Sequence, residues 1–152
     1  MKYILVIFLF YSTNISAETC KWWFQRYGWK NFDLSQVEVC LKNGSPVVAD
    51  IEGGESPLHI AAEVNNDPEI LLRLIRAGAE INGKTSKGWT PLHSAARFNP
   101  NPEILLTLID AGANIDSKTN SGKTFIYWME KNPKLKKTIG YIELLNLYDR
   151  SQ

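Results

Sequence analysis

His59 and His93 are the only histidines in the chain, and they stand in the matching stretches Ser56-Pro57-Leu58-His59 and Thr90-Pro91-Leu92-His93. Two imidazoles could hold a metal ion or supply a general base. Sharing an ion would need the rings within about 4 Å of each other, since metal–nitrogen bonds are near 2 Å. Equivalent points on neighbouring packed helices lie about 10 Å apart. For nucleophilic catalysis, neither histidine has a serine or cysteine partner with a third orienting group. Glu52, Glu55 and Glu63 crowd together as a carboxylate pair would, but they fall on a loop and a helix surface, where acids are ordinarily solvated. Gly53-Gly54 is followed by Glu55, without the lysine of a phosphate-cradling loop. No catalytic residue, metal ligand or cofactor is expected.

The two cysteines, Cys20 and Cys40, both lie early in the chain. What they do depends on where the protein resides. Lys2 followed by the apolar run Tyr3 to Tyr11 and the small, polar stretch Ser12 to Ala17 has the form of a secretory leader. The run is shorter than the roughly 20 residues a spanning helix needs. Residues 1–17 are therefore expected to be a signal peptide cleaved after Ala17, leaving a periplasmic or secreted protein with no membrane span. In an oxidising space an even cysteine pair is a disulfide candidate, with two buried free thiols as the alternative.

Charge excludes one large class of partners. The chain has 17 basic and 16 acidic residues, and removing the leader takes away Lys2 and no acid. A formally neutral chain offers no electrostatic case for binding nucleic acid or an anionic membrane. Lys131, Lys134, Lys136 and Lys137 read as a solvated face, with electropositive docking of an acidic partner as the remaining reading.

The elements that carry these residues recur. Shifting the sequence on itself by 34 residues aligns Gly44, Gly78 and Gly112, and likewise Leu41, Ile75 and Ile109. Each glycine follows a helical apolar stripe and is placed to end it in a left-handed conformation. Asp67-Pro68-Glu69 and Asn101-Pro102-Glu103 are helix starts: a capping side chain, proline in the first turn, then an acid suited to the helix dipole. The Ser/Thr-Pro-Leu-His stretches open a second, shorter helix in each unit. Between units, residues 80–89 and 114–123 are expected to form protruding, hairpin-like loops.

With these motifs in hand, the chain resembles the ankyrin-repeat family, whose signature is Thr-Pro-Leu-His-x-Ala followed by a second helix and Gly-Ala. Its Asn-Asp-Pro-Glu and Asn-Pro-Glu loops are also similar to those of short exported bacterial ankyrin-repeat proteins. The resemblance implies an all-α solenoid of stacked helix-turn-helix units. It divides residues 18–152 into an N-terminal capping repeat (18–49), two full repeats (50–83 and 84–117) and a C-terminal capping repeat (118–152). In the front cap, Trp22 to Trp29 would fill the first-helix slot and Asp33 to Lys42 the second. Cys20 and Cys40 then fall where antiparallel helices bring them together. In the back cap, a final helix over roughly 133–149 would present one polar face.

The resemblance also implies roles. Ser56, Pro57, Leu58 and His59, with Thr90, Pro91, Leu92 and His93, become the structural repeat motif, each histidine bonding locally and tying its unit to the next. The function implied is binding an unknown protein partner, as a monomer, through loop tips and a concave inner-helix face. The positions that transfer to that surface are Glu55, Glu63, Val64, Trp89, Arg97, Phe98 and Lys123, with Trp89 the leading anchor. A rival is an enzyme or small-ligand binder built on the aromatic N-terminal cap, which would need a pocket of convergent polar groups near Trp22, Trp29 and Arg26.

Overall fold

The structure, a computed structural model, describes Cys20, Trp23, residues 25–48 and residues 53–151. The leader, Trp22 and Glu52 lie outside the described residues. The described chain runs α1 (Arg26–Asn31), α2 (Leu34–Lys42), α3 (Pro57–Val64), α4 (Pro68–Arg76), α5 (Pro91–Phe98), α6 (Pro102–Asp110) and α7 (Phe125–Glu130). A 3-10 turn (Leu135–Lys137) then leads to α8 (Ile139–Ser151). Short and long helices alternate, and each kind stacks on its own: α1, α3, α5 and α7 form one row, and α2, α4, α6 and α8 the other. The architecture is an all-α solenoid of helix pairs. No helix among the described residues is long and apolar enough to cross a membrane.

Local chemistry explains the helix ends. Asp67 and Asn101 accept hydrogen bonds from the amides of Glu69 and Glu103, with Pro68 and Pro102 opening the helices behind them. At the far end of α4, Gly78 adopts a φ of 98°, which lets Ala79 N–H reach back to the Leu74 carbonyl. Gly112 repeats this after α6, where Ala113 N–H bonds to Leu108. The apolar stripes meet in one continuous core. Leu58, Ile70, Leu71, Leu74, Leu92, Ile104, Leu105 and Leu108 are fully buried, and Ala61, Ala62, Ala95 and Ala96 let the short helices approach closely.

A buried amide ladder, which sequence reading overlooked, locks the units together. Asn65, Asn99 and Asn132 each follow a short helix and are all buried. Asn65 Nδ2 donates to the carbonyls of Trp29 and Phe32 in the unit before it. Asn99 Nδ2 donates likewise to Ala62 and Asn65, and Asn132 Nδ2 to Ala96 and Asn99. Each Oδ1 accepts a backbone amide of its own connecting turn: Asp67, Asn101, and Lys134 with Leu135. One side chain thus satisfies helix-end carbonyls that no intrahelical donor can reach.

Both ends differ from the sequence expectation. In the front cap the helix that holds Trp29 begins at Arg26 rather than at Trp22, and Trp23 packs on Trp29 and Phe32 at ring-centroid distances of 4.7 and 6.3 Å. Its indole N–H donates to Pro46. Cys20 and Cys40 are joined as a disulfide, with their Cα atoms 5.4 Å apart. In the back cap the single helix expected over 133–149 is broken at Thr138, an extended residue whose hydroxyl donates to the Leu135 carbonyl. Lys134, Lys136 and Lys137 therefore sit on or beside the 3-10 turn. The outer surface of α8 is not simply polar, since Ile139 is 93 % and Ile142 57 % exposed.

Candidate functional site

The loop tips are built to hold one another. Within the tip of residues 85–89, Thr85 N–H bonds to the Trp89 carbonyl and Gly88 N–H to Thr85. The tip of residues 119–123 repeats both bonds. Ser86 N–H reaches Gly53 and Asn120 N–H reaches Lys87, so consecutive tips are stitched backbone to backbone. Gly88 is required there: at φ 74°, a Cβ would lie 2.5 Å from the Asn120 amide oxygen. No strand forms among the described residues; the hairpin likeness is confined to these turns.

The two histidines sit beneath the tips. His59 Nδ1 accepts from the Ser56 amide at 3.2 Å, with the Ser56 hydroxyl 2.9 Å away, while its Nε2 lies 3.0 Å from the Trp89 carbonyl. His93 repeats this with Thr90 on one side and the Lys123 carbonyl on the other. A carbonyl only accepts, so the bonding pattern assigns the proton to Nε2 and leaves both rings neutral. Each ring closes its own helix cap and ties it to the next loop. No group of three metal-ligating side chains occurs among the described residues.

This arrangement makes the stack sensitive to acid. Burial pushes both imidazoles below their ordinary value of 6.5, outweighing the backbone carbonyls that favour the charged form. A second proton on Nδ1 would face an amide N–H. Below pH 6.5 the unfolded chain then binds more protons than the folded one. The stability this confers is complete above that value and is lost as pH falls through the folded-state values. Unfolding free energies from urea titrations are expected to be level from about pH 7.5 to 8.5 and to fall from about pH 6.5 downward, by at most about 1.4 kcal/mol per pH unit for each histidine. An unfolding free energy that rose toward acid would contradict the neutral-ring arrangement.

Along the face formed by the short helices and the tips, Trp89 is the centre of an aromatic cluster. Its ring stacks on Phe98 at 6.0 Å and 23°, lies 4.6 Å from Trp128 and 6.3 Å from His93. Phe98 remains 49 % exposed and Trp89 half-buried. The Trp128 indole N–H is buried and meets no acceptor among the described residues. Neither Trp128 nor its neighbour Tyr127, edge-on at 5.0 Å, was among the residues assigned to the partner surface from sequence. Their signal is their position, 34 residues beyond Ser94 and His93.

The remaining sequence-picked residues divide. Glu55 and Glu63 come together with Trp89 and Phe98, along a groove of about 170 Å³ that Arg26, Lys87, Thr85 and Ser94 complete. Both carboxylates are engaged by Arg26, whose Nη2 meets Glu55 at 2.7 Å and whose Nε meets Glu63 at 2.8 Å. The Glu63 hydrogen bond is the main reason the Arg26 guanidinium is held above its ordinary value. Val64 packs against the core. Arg97 donates from Nη1 to the Lys131 carbonyl and lies 5.3 Å from the Phe98 ring centroid. Lys123 places Nζ 4.7 Å from the Tyr127 ring centroid.

At the aromatic cap, where the rival site was expected, Trp22 lies outside the described residues. Trp29 is fully buried against Trp23 and Phe32, and Arg26 is drawn away to the glutamates. An Arg–carboxylate cluster beside an aromatic groove is a set of groups suited to recognition.

Stacked helix pairs, left-handed glycine stops, Ser/Thr-capped histidine helices and interlocked tips define a short helical repeat protein. The family model for ankyrin repeats matches residues 10–128 with three copies, and the chain belongs to the ankyrin-repeat family. The match begins inside the segment read as a leader and stops before the 3-10 turn and α8. No curated protein matches the chain. Members of this family are generally modules for protein–protein interaction.

Proposed function

We propose that this chain is an exported, monomeric interaction module that binds one partner protein through its loop tips and concave inner-helix face. Trp89 and Phe98 are its anchors, and Glu55, Glu63, Val64, Arg97 and Lys123 line the flanks. The observation that carries this reading is the half-exposed Trp89–Phe98–Trp128 cluster, set beside a groove on the face that all four short helices share. Large aromatics next to a groove supply most of the energy at protein interfaces, and the surrounding contacts exclude water. The leader-like residues 1–17 and the Cys20–Cys40 bridge support a periplasmic or secreted location.

Affinity capture from the extracytoplasmic extract of the source cell tests this reading. Wild type and the double variant Trp89→Ala/Phe98→Ala are used as parallel baits, with matching thermal melts confirming that both are folded. A protein retained by wild type and lost from the variant is expected. Equal retention by both baits would place the binding surface elsewhere.

A further inference from the structure

Charge along the groove is unequal from end to end. At the front, Arg26 pairs with both glutamates, and the trio keeps a net negative charge. At the back, two ammonium groups converge on one ring: Lys123 Nζ lies 4.7 Å and Lys131 Nζ 5.5 Å from the centroid of Tyr127. Arg97 adds a third positive charge, anchored through the Lys131 carbonyl and lying near Phe98. Among the described residues none of these three cations pairs with a carboxylate; the ion pairs found there belong to Arg26, Arg73 and Arg76. Glu130, the only acid of α7, bears on the Tyr141 phenol, which burial first and Glu130 second push up. Two cations gathered about one aromatic ring repel each other, and an anion within reach of both would gain from both.

We propose that the partner presents an extended acidic segment to this face. One apolar side chain seats on Trp89 and Phe98, and a carboxylate about three residues away is held by Lys123 and Lys131 beside Tyr127. This rests on the inner-helix face being the binding surface and adds the chemistry of what binds. The spacing follows from the stack: neighbouring units are about 10 Å apart, and an extended chain advances about 3.3 Å per residue. A peptide carboxylate suits the site better than a polyphosphate backbone. The cations form one compact group beside an apolar floor, and the whole chain carries a formal charge of only +1.

The test is selection of twelve-residue peptides from a random display library on the oxidised protein. Three baits are used: wild type, Lys123→Glu/Lys131→Glu, and Trp89→Ala/Phe98→Ala. Wild type is expected to enrich peptides with Asp or Glu two to four residues from Phe, Trp or Leu. The charge-reversed bait should bind those peptides at least about ten-fold more weakly and enrich Lys or Arg at the same spacing. Enriched peptides without acidic bias, or retained equally by the charge-reversed bait, overturn the proposal while leaving the face itself in place. Peptides indifferent to Trp89→Ala/Phe98→Ala, or no enriched family at all, overturn both the proposal and the face. Binding of a single-stranded 20-mer DNA or of phosphatidylglycerol vesicles, abolished by Lys123→Glu/Lys131→Glu and unaccompanied by acidic peptides, would assign the cations to phosphate and overturn the proposal.

Discussion

Asn99→Ala is expected to destabilise the protein by about 4 kcal/mol, lowering its melting temperature by roughly 10–15 °C. The side chain is fully buried and makes three hydrogen bonds, two donated to the Ala62 and Asn65 carbonyls and one accepted from Asn101 N–H. Truncation strands all three backbone partners where water cannot replace the lost bonds, at about 1–3 kcal/mol each, with partial relief from relaxation. Asn99→Asp should cost at least as much, because a carboxylate oxygen would then face two carbonyls. Asn66→Ala is the control, since that side chain is exposed and only its backbone carbonyl is used, by Asn101. Thermal melts of the three variants decide the matter. A change under about 1 kcal/mol for Asn99→Ala would mean that the ladder contributes little.

Removal of the Cys20–Cys40 bridge is the second large effect. The bridge closes a sequence separation of 20 residues, worth about 3 kcal/mol in the chain-entropy account. In a stacked repeat each unit contacts only its neighbours, so the loss should fall on the front cap and not on the whole protein. That cap docks on one neighbouring unit only, through α3 and α4. Its helix α1 has six residues, no side-chain hydrogen bond at its N-cap, and packs on α3. Cys20→Ala/Cys40→Ala is expected to lose amide-exchange protection across residues 25–48, while α5 and α6 stay protected. Uniform loss of protection along the chain would show that the stack unfolds as a single unit and that the bridge acts globally.

Most of the architecture was legible because the repeat reports itself. A fixed shift of 34 residues aligned the glycine stops, the helix starts and the histidine heptapeptides, and these elements fold as they read. The amide ladder escaped for a concrete reason. Asn65 and Asn99 are 34 apart, but Asn132 follows at 33, so the same shift pairs Asn99 with Pro133. An asparagine after a helix also reads as ordinary loop composition until its partners in the preceding unit are known. The final helix was overextended because Lys134, Lys136 and Lys137 favour helix, while the hydroxyl of Thr138 and the seating of Gly140 against Pro102 end the first segment. At the candidate site, Trp89, Phe98, Glu55 and Glu63 share one groove. The ion pairs that Arg26 makes with both glutamates could not be read from the sequence. Arg26 lies in the divergent front cap, 29 and 37 residues from its two partners.

The decisive measurement is calorimetric titration of the captured partner into wild type, Trp89→Ala/Phe98→Ala, and Glu69→Ala/Arg76→Ala. The last pair lies on α4, in the row of long helices, with both side chains more than half exposed. Binding through the inner-helix face requires the aromatic variant to lose at least about 100-fold in affinity, as expected when two hot-spot residues are removed, with the α4 variant matching wild type. Undiminished binding by Trp89→Ala/Phe98→Ala, or loss confined to Glu69→Ala/Arg76→Ala, would contradict it.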